Sequence, residues 1–132
     1  MIDGEMLTIE QHADGGFAMG GRTVRLASGA IRIGTAAGEL QPSFRASGDE
    51  TMVLGRLPGM RRRAVAVAAG LRIHRELFLS DDRQTAALRI TLRNESDAPV
   101  CLGETRLVHV DRQDDFIVGE AGIDAWSVLR YP

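Results

Sequence analysis

The chain has 132 residues, 44% of them hydrophobic, and a formal net charge of −2. That length allows one hydrophobic core of ordinary size, and the near-neutral balance excludes the basic stripe that nucleic-acid binding rewards through counterion release. The single cysteine, Cys101, cannot form an internal disulfide, and no apolar run is long enough for a membrane span.

The opening Met1-Ile2-Asp3-Gly4-Glu5 lacks the basic and apolar regions of a signal peptide. A cytoplasmic location with no membrane partner is therefore expected. All sixteen basic residues are arginine, a bias given no functional weight. The four prolines and fifteen glycines are spread as turn punctuation, so no linker or low-complexity tract divides the chain.

In chain order, the pairs Leu7/Ile9, Val24/Leu26 and Ile31/Ile33 alternate with polar or small neighbours. So do Val65/Val67, Leu71/Ile73, Leu77/Leu79 and the trio Leu88, Ile90 and Leu92. A period of two is the signature of strands with one face on a core. Turn signals fall at Asp14-Gly15-Gly16, Gly20-Gly21, Ser28-Gly29, Ser47-Gly48-Asp49, Pro58-Gly59, Ser80-Asp81-Asp82 and Asn94-Glu95-Ser96-Asp97. The expected fold is all-β, a single-domain antiparallel β-sandwich of supersandwich type over residues 1–132. Residues 64–70 are alanine-rich, yet Val65, Val67 and the strand pattern that follows favour an extended reading over a helix. Between residues 100 and 110 the alternation slips, which predicts a β-bulge at Gly103-Glu104.

Few residues assemble chemistry. The glycine pairs around Phe17-Ala18-Met19 lack the Lys-Ser/Thr ending of a phosphate loop and read as a hairpin. Arg61-Arg62-Arg63 reads as an exposed loop following the Pro58-Gly59 turn. The acidic stretch with Asp111, Asp114 and Asp115 lacks the oxygen spacing of a calcium loop and reads as solvated surface. His12, His74 and His109 are too scattered to form a metal set, although His74 and His109 on neighbouring strands would meet across a sheet. Cys101, between Val100 and Leu102, reads as a small apolar filler in a strand. No serine sits in a nucleophile elbow. The sequence therefore assigns no catalytic residue, no metal ligand and no cofactor.

The last segment, residues 122–132, carries the only tryptophan and alternates to the terminus. On a strand, Trp126, Val128 and Arg130 share one face while Ser127, Leu129 and Tyr131 share the other. Trp126, Arg130 and Tyr131 are the candidate site residues, either contacting sugar by ring stacking and guanidinium donation or packing on a further domain. Packing is favoured, because large aromatics dominate domain boundaries and an aromatic content of 5% is low for a sugar-binding surface. A self-contained domain more often ends in a polar tail, so the chain is read as one domain of a longer enzyme.

Asp124-Ala125-Trp126-Ser127-Val128-Leu129-Arg130, preceded by Asp111-Arg112-Gln113-Asp114-Asp115-Phe116, resembles the pattern closing the N-terminal β-sandwich of α-galactosidase-like glycoside hydrolases of the melibiase group. The stretch Arg75-Glu76-Leu77-Phe78-Leu79-Ser80-Asp81-Asp82, followed by Ala87-Leu88-Arg89-Ile90-Thr91-Leu92-Arg93-Asn94-Glu95-Ser96-Asp97-Ala98-Pro99-Val100, is similar to hairpins of such sandwiches. In this chain Tyr131-Pro132 stands where that family has Asn-Gly. The resemblance implies a non-catalytic domain that packs on a catalytic (β/α)8 barrel of the same polypeptide, shapes its cleft and supports association of subunits. It also implies that the paired catalytic aspartates lie on the barrel. The alternatives are an independent carbohydrate-binding module and a purely structural or oligomerising sandwich.

Overall fold

The computed structural model of the chain describes residues 6–110, 116–118 and 121–122. Strands β1 (Thr8–Gln11), β2 (Phe17–Gly20), β3 (Val24–Thr35) and β4 (Gly38–Leu40) open the chain. Strands β5 (Arg45–Leu54), β6 (Leu57–Ala68), β7 (Leu71–Ser80) and β8 (Ala86–Asn94) follow. Strands β9 (Leu102–His109), β10 (Phe116–Val118) and β11 (Ala121–Gly122) complete it. No helix occurs among the described residues, and the expected antiparallel β-sandwich is the observed architecture.

The middle four strands form one antiparallel meander, β5-β6-β7-β8, and all the others build a second sheet around β3. Leu26 of β3 lies between Met19 of β2 and Phe116 of β10, while Ile33 lies between Leu40 of β4 and Thr105 of β9. The chain thus starts in one layer, completes the other as consecutive hairpins, and returns to the first. Phe17, Leu26, Ile31 and Ile33 from the first layer, with Phe44 from the connection between β4 and β5, meet Ala64, Ala66, Leu71, Ile73 and Leu77 from the second in one buried cluster.

One strand turns its other face inward from the one the alternation marks. On β6 the inward residues are Ala64 and Ala66, both buried, while Val67 is exposed. Register explains this, because Ala64 pairs directly with Arg75 and Ala66 with Ile73. The small inward methyl groups leave volume for the large side chains beside them. Residues 64–68 are extended as expected, and β6 ends in a turn at Ala69-Gly70.

Three of the expected turns are instead interior strand positions. Ser28-Gly29 sits within β3, where the register with β2 shifts between Phe17 and Met19. Ser47-Gly48-Asp49 lies within β5 at a shift against β6. Pro58-Gly59 lies within β6, and the β5–β6 turn falls at Gly55-Arg56. Gly59 is required by a close approach, since a Cβ there would lie 2.6 Å from ring atoms of Phe78 and 2.4 Å from the Leu79 carbonyl oxygen. In antiparallel sheets glycine marks bulges and such approaches as well as turns. The bulge expected at Gly103-Glu104 is present, because Ile33 pairs with Thr105 and Thr35 with Leu102.

Arg61-Arg62-Arg63 is part of β6 and not an exposed loop. Arg61 bridges Glu50 of β5 and Glu76 of β7, the latter at 3.1 Å, and Glu76 also approaches Arg89 of β8 at 4.0 Å. Opposite charges at cross-strand and diagonal positions thus link all four strands on one face. Cys101 is exposed and lies just outside β9, so it fills no core.

The β6–β7 turn holds Ala69 at φ 50° and Gly70 at φ 77°. Both central residues positive is the arrangement of a two-residue type I′ hairpin, which favours Asn-Gly. Ala69→Asn should therefore stabilise the fold by about 0.5–1 kcal/mol, because alanine bears the steric cost of the left-handed region. A urea titration with a raised midpoint and unchanged slope would register it.

Candidate functional site

The inward row of β7 runs Leu71, Ile73, Arg75 and Leu77. Arg75 therefore enters the space between the sheets, and only 2% of it remains exposed. Among the described residues no carboxylate meets it. Its Nη1 donates to the Gly15 carbonyl oxygen at 2.7 Å and its Nη2 to Gln11 Oε1 at 3.2 Å, while its Nε has no acceptor. The guanidinium carbon lies 4.6 Å from the ring centre of Phe44 and 5.4 Å from that of Phe17. A guanidinium is more weakly hydrated than an ammonium and stacks on aromatic faces, which is why arginine tolerates this place. Desolvation lowers its pKa to about 10, and it stays cationic at neutral pH.

The loop between β1 and β2 is shaped to close over this charge. His12 and Gly16 are bridged by a 2.9 Å backbone bond, Gly15 N donates to the His12 carbonyl at 3.0 Å, and Asp14 Oδ1 accepts from Gly16 N at 2.8 Å. Gly15 has φ +89°, and a Cβ on it would lie 2.9 Å from the Phe44 backbone nitrogen. Only glycine combines that backbone conformation with so close an approach. The Gly15 carbonyl is thereby presented to Arg75.

Beside this arrangement opens a cavity of about 480 Å³, lined by Gln11, His12, Ala13, Phe44, Arg45, Ala46 and Arg75. Among the described residues its walls carry two arginines and one histidine and no acidic residue. A second recess, about 360 Å³ and largely apolar, is lined by Leu7, Met19, Gly20, Val24, Leu26, Ala86 and Val108. Val24 and Val108 are about half exposed there. Leu88, Ile90 and Leu92 of β8 are partly buried and pack against the core cluster.

The candidates drawn from the sequence fare differently. Trp126, Arg130 and Tyr131, together with Asp111, Asp114 and Asp115, lie outside the described residues. His74 and His109 do not face each other across a sheet, because β7 belongs to the four-stranded layer and β9 to the other. Among the described residues no group of three His, Cys, Asp or Glu side chains is placed to hold a metal ion. Arg75 was not among the candidates. The signal for it was present in the alternation, since an arginine takes the inward place between Ile73 and Leu77.

At the far end of β7, Ser80 Oγ donates to Asp82 Oδ1 at 2.6 Å and accepts from Thr85 N at 3.0 Å. The Ser80 hydroxyl and the Gln84 amide hold the Asp82 carboxyl below its usual range. Scans of the chain against models of known families, curated proteins and solved structures found no match.

Two outcomes follow from this geometry. Phe44→Ala removes a buried ring from the core and from Arg75, and should cost about 3 kcal/mol in a urea titration. Because the Asp82 pKa is lowered on folding, its stabilising contribution is present above the ordinary carboxylate range and is lost as pH falls through the folded value. Ser80→Ala should therefore lessen the acid sensitivity of stability, measured as the change in urea midpoint between neutral and acidic buffer.

Proposed function

We propose that the chain is the non-catalytic N-terminal β-sandwich of an α-galactosidase-like glycoside hydrolase. In this reading it packs on a catalytic (β/α)8 barrel of the same polypeptide, shapes the rim of its cleft and supports subunit association. The observation that carries the reading is the β7–β8 hairpin. Of the stretch that resembles the family's sandwich hairpins, which begins at Arg75 and runs to Val100, the part up to Asn94 lies in two paired antiparallel strands connected through residues 81–85. The apolar recess bordered by Val24, Leu26 and Val108 supports it as well, since exposed apolar surface of this kind suits a packing interface with a neighbouring domain.

The chemistry then belongs to the barrel. Two carboxylates there would cleave an α-galactoside with retention through a glycosyl-enzyme intermediate, and the sandwich would supply no reacting group. The longer polypeptide is expected to hydrolyse nitrophenyl α-galactoside, and residues 1–132 alone should give no turnover. Turnover by the 132-residue chain, or a downstream reading frame that encodes no barrel with paired aspartates, would overturn the assignment.

A further inference from the structure

We infer that the cavity beside Arg75 is a binding site for a small carboxylate. The inference is independent of the glycosidase reading and rests on the charge buried within this sandwich. A guanidinium carries five N–H donors. Two are engaged, by Gly15 and Gln11, so three remain, among them the Nε–H that has no acceptor. A buried cation without an acidic partner is costly, and the usual compensation is a counter-ion with hydrogen-bonding oxygens.

The walls specify which anion. Arg45 and His12 line the same cavity and, among the described residues, no acidic one does, so the local field favours negative charge. The planar fork of a guanidinium matches the two oxygens of a carboxylate. Phe44 borders the cavity and stacks on that fork, which provides an apolar surface for a ring or short carbon body behind the carboxylate. A phosphate dianion is the poorer fit, because its larger hydration energy is lost against the Phe44 ring. At about 480 Å³ the cavity is of the size that takes a small molecule and not a folded partner.

The test uses the 132-residue chain at constant ionic strength. Benzoate and D-glucuronate are titrated while thermal unfolding and the arginine Nε–H resonances are followed, with chloride, inorganic phosphate and neutral glucose as comparisons. The expected result is a saturable rise in Tm with one or both carboxylates, at least tenfold tighter than phosphate, no response to glucose, and a shift of the Arg75 Nε–H signal. Arg75→Lys keeps the charge but loses the fork, and should weaken binding tenfold or more. Should that variant fail to fold, Arg45→Gln and His12→Leu change only the wall and should each weaken binding about threefold. Absence of a saturable response to either carboxylate would overturn the inference. So would phosphate binding as tightly, or affinities unchanged in the wall variants.

Discussion

The structure is organised around one unpaired positive charge between its two sheets. Arg75 takes a core position on β7, and everything near it is arranged to make that tolerable. Two phenyl rings flank the guanidinium, a glycine turn presents a carbonyl, and a glutamine from β1 supplies a second acceptor. Because the acceptors come from the β1–β2 end of one layer and the donor from the middle of the other, the interaction also ties the layers together. Removing either partner would leave a buried polar group unsatisfied, which is a larger loss than the modest net gain of making the bond.

The remaining stabilisation is more ordinary in kind. The β5–β8 meander has long, well-paired strands, with Ile73 and Leu77 fully buried on its inner side and the chain of charges from Glu50 to Arg89 crossing its strands. Such partly exposed ion pairs contribute little singly and act mainly to favour one register. The inner side is where apolar burial accrues. The sheet around β3 is less evenly covered. Its β9 strand exposes Leu102, Leu107 and Val108, and the apolar recess opens nearby.

These two regions suggest a division of labour within one small domain. The apolar recess suits attachment to a larger assembly, and the cavity at Arg75 suits a small charged ligand. They draw on different residues, the first on Val24, Leu26 and Val108, the second on Gln11, Phe44 and Arg75. In the sandwich itself Glu50 and Glu76 are committed to ion pairs and Asp82 to a turn.

The amino-acid pattern alone determined that the chain is a β-sandwich, because alternation with a period of two records which side of a strand faces apolar surroundings. It also located the bulge at Gly103-Glu104 and the extended run before Gly70. It did not distinguish a glycine that turns the chain from one that lets another group approach. Gly59 and Gly29 look alike in sequence to Gly70, yet only the last ends a strand. That distinction depends on what lies across the sheet, such as the ring of Phe78 over Gly59. The same holds for Arg75. Its inward parity can be read from Leu71, Ile73 and Leu77, but the tertiary structure decided what meets it. Phe17, Phe44, Gln11 and Gly15 lie far from it along the chain and reach it only once the two layers close.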